Sequence, residues 1–475
     1  MKVLLIQPPN KEEVMTGLYP KDYAIKARSV FPPLGLLSLA SYLKKRHDVV
    51  VLDMILSDQT VSNLPEILKA VKPDMVGITA IIGLWSSALR IFKKIKNLDS
   101  SIHTVVGGPN ATYFPEETFC HKEIDYLIVG NGQKPLMDLC DKLEKGETCE
   151  GIDNCFVQGA SYSRFDVVQT AEYGLDQFPF PDRTFTPYME YTVPFCPENP
   201  ATTMITSMGC PYRCAFCTTV RPPLLILTTE KVVEELKAIH ELGIKSVLFQ
   251  DELFTADKRR VKEVCEALID GDIRLHWTMK SRIDGIQSWM PELMKKAGCF
   301  NIHFGIESGN DDTLMRMKKG YTCDTIKKTV NLVKEAGLSV TGNFMLAYPG
   351  ESDEDILQTI DFAKGLDLNI SQFSLTIDSP GSELFEEAIK VGRRTHNYLS
   401  DYVRHPDPDN SDLPTALFSA SDRFSQEELH VFLEKAYAST KTLFDVSREV
   451  TLPNLKSKRR KNNTKTVSCE LVRSS

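Results

Sequence analysis

Thr203-Met-Ile-Thr-Ser-Met-Gly-Cys210-Pro-Tyr-Arg-Cys214-Ala-Phe-Cys217 decides how the rest of the chain is read. Its first four residues are apolar or β-branched, as expected of a short buried strand. Three thiols follow on one loop directly after that strand. Three thiolates so placed can wrap a compact cation or an iron–sulfur cluster. They suit a four-iron cluster with one iron left open, whereas structural zinc needs a fourth protein ligand. Cys196 could supply one, so zinc stays open at this point. A purely electron-carrying ferredoxin site would want a fourth cysteine at local spacing, and there is none.

Downstream of the loop, apolar runs alternate with helical patterns. Strand candidates are Thr203–Thr206, Ser246–Phe249, Leu275–Met279, Asn301–Ile306, Ser339–Leu346 and Ser371–Leu375. Between them run amphipathic stretches, one with Val261, Val264, Cys265 and Leu268 on a single face. Six such units predict an open, partial (β/α)6 barrel of the TIM type, over residues 201–393. In a barrel the chemistry gathers at the carboxyl ends of the strands. Polar groups fall there repeatedly: Asp251 and Glu252 after the second strand, Ser281 and Arg282 after the third, Glu307 closing the fourth, and Tyr348-Pro-Gly-Glu351 after the fifth. Such a ring beside three cysteines predicts a site for a small polar ligand.

Upstream, strand candidates Val3–Ile6, Val49–Asp53, Met75–Thr79, Thr104–Val106 and Tyr126–Val129 alternate with helical segments, one of them placing Trp85, Ala88, Leu89, Phe92 and Ile95 on one face. This predicts an α/β, flavodoxin-like (Rossmann-like) parallel sheet over residues 1–148, with its ligand at the strand carboxyl ends. Those ends carry Gln7 and Pro8, Thr79, Gly107 and Gly108, and Gly130 and Gly132. Glycines there either let a backbone approach a bulky ligand or make ordinary tight turns. Residues 149–200 are rich in prolines and aromatics and read as a linker, and 394–475 as a mostly helical segment ending in a basic, polar tail, Lys456–Asn463.

Composition narrows the class. The chain has 475 residues, enough for two or three domains. Its hydrophobic fraction of 42% and charged fraction of 25% are those of a globular protein. A formal charge of -8 argues against a nucleic-acid partner. No apolar run is long enough to span a bilayer, and the four-residue run before Pro8 is too short for a signal peptide. The expected compartment is the cytoplasm, where twelve cysteines suggest core residues plus a metal site and not disulfides.

The Cys-x3-Cys-x2-Cys loop, with Phe216 before its last cysteine, resembles the signature of the radical S-adenosylmethionine superfamily. Phe249-Gln-Asp-Glu-Leu-Phe254, Phe304-Gly-Ile-Glu-Ser-Gly309, Phe344-Met-Leu-Ala-Tyr-Pro-Gly-Glu351 and Pro380-Gly-Ser-Glu-Leu-Phe385 are similar to its later motifs. The first domain resembles the cobalamin-binding domain of one large branch, in Phe31-Pro-Pro-Leu-Gly-Leu-Leu37, Pro73-Asp-Met-Val-Gly-Ile-Thr79, Val105-Val-Gly-Gly-Pro109 and Gly130-Asn-Gly-Gln133. There are two departures. No Asp-x-His-x-x-Gly is present, so none of His47, His103 and His121 is expected to bind cobalt. Asn131 and Gln133 stand where the branch usually has two glutamates.

The resemblance implies a [4Fe-4S] cluster on Cys210, Cys214 and Cys217, S-adenosylmethionine held among Phe216, Asp251, Glu252, Ser281, Arg282 and Glu307, and cobalamin against Gln7, Pro8, Thr79, Gly107, Gly108, Gly130 and Gly132. It implies methylation of an unactivated carbon, or phosphorus, of a small molecule through a 5'-deoxyadenosyl radical. Electrons would come from a reductase such as flavodoxin or ferredoxin. Ring-forming or oxidising outcomes, and tRNA modification, are the alternatives.

Overall fold

The computed structural model describes residues 1–9, 30–160, 162, 165, 174–193, 195–218, 224–406, 419–421, 423–442 and 445. The first sheet comprises β1 (Lys2–Gln7), β2 (Asp48–Asp53), β3 (Met75–Thr79), β4 (His103–Gly107), β5 (Tyr126–Ile128) and β6 (Cys155–Val157). Its order is β2-β1-β3-β4-β5-β6, parallel except for β6, which runs antiparallel to β5. Alternate side chains feed two cores. Leu4, Ile6, Val76 and Ile78 pack with Trp85, Ala88, Phe92 and Ile95 of helix Trp85–Leu98. Val3, Leu5, Met75 and Val105 pack with helices Leu34–Leu43 and Gln133–Lys145. Both faces are thus covered, as the unbroken apolar strands require.

The stretch expected to be a linker does more than connect. β6 lies inside it and closes the sheet edge beyond β5, so the first folded unit runs past residue 148. Three residues of strand leave too weak a period for sequence to show. Further on, Arg183 is buried and donates to Thr202 Oγ1 (2.9 Å), the Thr203 carbonyl (2.9 Å) and Glu235 (2.8 Å), which locks the stretch to the second unit. One short ribbon, β8 (Ser207–Met208) with β9 (Leu225–Ile226), flanks the cysteine loop after β7 (Ala201–Met204).

The second sheet contains β7, β10 (Ser246–Phe249), β11 (His276–Ser281), β12 (Cys299–Glu307), β13 (Ser339–Leu346) and β14 (Ile370–Leu375). All six are parallel and lie in sequence order, so the sheet is wound one way with helices on its outer face. This is the open barrel expected. Trp277, Met279, Ile302, Phe304, Phe344 and Phe373 point out into the helical layer. The residues between them point into the barrel.

The C-terminal segment is divided between the two units. Helix Gln426–Ser439 covers the last strand, where Tyr437 Oη donates to the Phe373 carbonyl at 2.9 Å. Helix Tyr398–Arg404 instead docks on the first domain. Val403 is buried in that domain's core, and its carbonyl accepts from Trp85 Nε1 (2.9 Å) and pairs with His121 Nε2 (3.0 Å). Trp85→Phe is expected to cost about 1–3 kcal/mol, because a buried carbonyl loses a donor. A lower urea midpoint and faster amide exchange over residues 398–404 check this. The basic tail lies outside the described residues. No helix among the described residues is long and apolar enough to cross a membrane.

Candidate active site

The cysteine loop is held by its backbone. Ala215 donates to the Met317 carbonyl (3.1 Å) and accepts from Leu384 N–H (2.8 Å), and Cys217 N–H closes a turn onto Cys214 (3.1 Å). Phe216 packs with Met317, Tyr348 and Leu384 and wedges the loop against the barrel rim. Gly209 enters the loop at φ +91°, a region that favours glycine, and its N–H donates to Glu252 at 3.2 Å. Cys210 and Cys214 are half-buried and Cys217 is exposed. Burial pushes the Cys210 and Cys214 thiols up, while the charges of Lys319 and Arg282 act against that shift at Cys214.

Among the described residues no three His, Cys, Asp or Glu side chains are gathered tightly enough to hold a single metal ion. Cys196 cannot complete a zinc site with the loop. It is buried with Val193, Ala201 and Leu248, and Ala201 begins β7 while the loop follows its end. Three thiols on one loop suit a cluster with one iron left open, and Cys196 is not placed to supply the fourth ligand that structural zinc needs.

Of the polar groups expected at the mouth, three gather at the loop. Glu252 is exposed beside Gly209. Arg282 forks onto Asp284 (2.9 and 3.0 Å), contacts the Lys319 carbonyl, lies 3.7 Å over the Tyr212 ring and brings Nη1 to 3.5 Å from Cys214 Sγ. Glu307 accepts from Lys319 Nζ at 3.1 Å. Lys319 is buried; desolvation opposes its charge, but Glu307, Tyr321 and Cys214 outweigh that and push its pKa up. Sequence reading missed Lys319. It lies in Arg316-Met-Lys-Lys319, which carries no motif and no periodicity.

Two expected mouth residues are corrected. Asp251 is fully buried and accepts from Thr206 N–H (2.7 Å), Thr206 Oγ1 (2.6 Å) and Ser207 Oγ (2.6 Å), with Arg260 at 3.5 Å. Its carboxylate is consumed in anchoring the start of the cysteine loop. Ser281 is also buried, bonded to Thr255 Oγ1 at 2.7 Å. Strand alternation turns both away from the mouth.

In the first domain an open cleft, with a cavity volume of about 180 Å³, lies at the carboxyl ends of β3, β4 and β5. Thr79, Gly107, Gly108, Gly130 and Gly132 line it, with Leu36 and Leu39 opposite. Gln7 and Pro8 do not line it, because the end of β1 is tied to β2 through Met54 N–H on the Gln7 carbonyl (3.1 Å). None of His47, His103 and His121 lines it either. Glycines share the lining with the apolar side chains of Leu5, Ile78, Val105 and Ile128. A Cβ on Gly77 would stand 2.8 Å from Leu5 Cδ2, and one on Gly132 3.2 Å from Leu39 Cδ2. Gln133 donates to Ser38 Oγ at 3.0 Å, while its Oε1 is buried at the cavity lip without a partner among the described residues. A broad, flat ligand carrying amide donors fits this cradle, so the residues present suit a corrin. Gly108 sits at φ +92° with Thr79 Oγ1 2.8 Å from its would-be Cβ. Gly108→Ala is expected to cost about 1–3 kcal/mol and to loosen corrinoid retention, read by melting temperature and bound cobalt.

Comparison with known proteins adds two family matches. The radical SAM superfamily pattern covers residues 204–363, and the B12 binding domain pattern covers residues 20–140. The chain is 32% identical to an uncharacterized methyltransferase, PH0819, of Pyrococcus horikoshii, over 82% of this chain and 83% of that protein. It is 26% identical to an anaerobic magnesium-protoporphyrin IX monomethyl ester cyclase of Rubrivivax gelatinosus, over 86% and 75%. The fold is similar to that of the radical S-adenosylmethionine methyltransferase TsrM of Kitasatospora setae, solved with cobalamin and a [4Fe-4S] cluster. The TM-score is 0.67 at 19% identity, covering 83% of this chain and 79% of that one.

Proposed function

Since the chain belongs to the B12-binding branch of the radical S-adenosylmethionine superfamily, we propose that it is an enzyme methylating a poorly activated carbon, or phosphorus, of a small molecule. The observation that carries the reading is a single chain that joins a three-cysteine loop at a barrel mouth to a glycine-lined cleft at a second set of strand ends. Cys210, Cys214 and Cys217 would hold the four-iron cluster, and Thr79, Gly107, Gly108, Gly130 and Gly132 would face cobalamin. When bound, the cluster supplies a low-potential electron to the sulfonium and cobalamin carries the methyl group.

The protein's own groups do the positioning. Glu252 offers an exposed carboxylate for the ammonium of S-adenosylmethionine. Glu307 keeps Oε2 open for a hydroxyl while Lys319 holds Oε1. Arg282 has its fork committed to Asp284, so it stabilises the negative charge at Cys214 instead of binding a ligand carboxylate. Tyr212 and Tyr321 screen this cation from water with their rings. The similarity to the cyclase supports a second reading, ring formation without methyl transfer. The test is anaerobic reconstitution with iron, sulfide and cobalamin, then incubation with S-adenosylmethionine and a reductant. Formation of 5'-deoxyadenosine together with a product one methyl group heavier supports methylation. An unmethylated product supports ring chemistry. No 5'-deoxyadenosine under any condition overturns both.

A further inference from the structure

Below the barrel mouth, inward-facing side chains form two polar layers with opposite states of satisfaction. The deeper one is closed on itself: Asn301 Nδ2 donates to Thr278 Oγ1 (3.3 Å), and Thr341 Oγ1 donates to Asn301 Oδ1 (3.2 Å). The next layer is open. Lys280 of β11 and His303 of β12 are register partners. Lys280 bonds only a neutral group, Gln250 Oε1 at 3.1 Å, and no carboxylate among the described residues lies within ion-pair distance. Neither ring nitrogen of His303 has a hydrogen-bond partner among the described residues. Asn343 of β13 and Gln372 of β14, also register partners, have no side-chain hydrogen bond among those residues either.

This layer lies directly under the cysteine loop. Lys280 is two residues before Arg282, whose guanidinium touches Cys214, so their Cα atoms stand roughly 7 Å apart. Gly305 separates His303 from Glu307, and the space a side chain there would take is held by the Glu307 carboxylate and the Lys319 ammonium. One side of this layer is aromatic: Phe195, packed near Leu248, meets the His303 ring edge-on at 5.7 Å and lies tilted against Phe300 at 6.1 Å. Burial, then the Lys280 charge, lowers the His303 pKa to about 4, so at neutral pH its imidazole is uncharged and presents one N–H. Desolvation lowers that of Lys280 as well, with Glu252 and Asp251 opposing only from a distance. Lys280 is exposed, and a cation short of a counter-charge beside unpaired donors is open to an incoming anion.

We propose that the small molecule transformed by this enzyme carries an acid group, a carboxylate or a phosphate, which docks on Lys280, His303 and Gln250, while Asn343 and Gln372 hydrogen-bond its polar body. The inference rests on the barrel being the reaction chamber of the proposed enzyme. It narrows the substrate to organic acids or phosphate esters whose reacting atom lies at least about one strand step from the acid group.

The test titrates the iron-loaded protein with inorganic phosphate and, separately, with acetate by isothermal calorimetry. At least one anion is expected to bind wild type saturably. Lys280→Arg should retain that binding, and Lys280→Gln should weaken it about tenfold or more, the worth of a charge-assisted hydrogen bond. Phosphate binding alone points to a phosphate ester, acetate binding alone to a carboxylic acid. If Lys280→Gln fails to fold, Gln250→Glu serves in its place, since a carboxylate beside Lys280 should expel either anion. Saturable binding unchanged in these variants, or none in wild type, overturns the proposal. Wild-type 5'-deoxyadenosine release in the same preparation separates the two readings. Release without anion binding removes only this inference, whereas anion binding without release overturns the enzyme assignment and the substrate reading with it, leaving an anion site alone.

Discussion

Cys214→Ala protein is expected to emerge from anaerobic reconstitution folded but with its cluster lost, and to release 5'-deoxyadenosine at the background rate. The thiolate removed is the middle one of three, and the one that Arg282 approaches at 3.5 Å. Two remaining thiolates cannot grip three corners of a cubane. The loop itself should survive, because its shape depends on the backbone bonds of Ala215 to Met317 and Leu384 and on the Phe216 wedge, not on sulfur. Iron per chain, visible absorbance and melting temperature read the outcome together. Wild-type iron content and wild-type release in this variant would sink the assignment of the loop as the cluster site.

Lys319→Met should be the most destabilising single change at the mouth, by about 3–5 kcal/mol, because it strands a carboxylate that is largely out of water. The side chains of Lys319 and Glu307 are only 4% and 12% exposed. The double variant Lys319→Met with Glu307→Met should recover most of that loss, since an apolar pair of similar volume needs no charge compensation. Denaturant melts of the two singles and the double give the coupling directly. Additive losses would mean that the pair is not the source. Even if stability recovers in the double variant, 5'-deoxyadenosine release should not, because the cation beside Cys214 and the carboxylate open to a ligand hydroxyl are both gone.

Sequence made most of the architecture legible because both sheets are parallel and covered by helices, so their strands read as apolar runs at helix-length intervals. The three cysteines were equally plain, being neighbours on one loop. What escaped reading depended on direction or on distant pairing. Asp251 and Glu252 are adjacent in sequence, yet one anchors Thr206 and Ser207 from inside and the other faces the mouth; only strand parity separates them. Lys319 acquires its role from Glu307, on a strand edge that precedes it by a whole helix. β6 is too short for a period, and helix Tyr398–Arg404 is committed to Trp85, more than 300 residues away. The open polar layer around Lys280 looks in sequence like scattered surface residues.

The placement of Val403 in the core of the first domain, with Tyr437 on the last strand of the barrel, affects how the molecule is made. Neither half is complete until the residues beyond the barrel have been made. The two halves are strapped at two points, by β6 and Arg183 on one side and by Val403 on the other. A stop codon between the barrel and Val403 should therefore harm the first domain although it spares that domain's whole sheet.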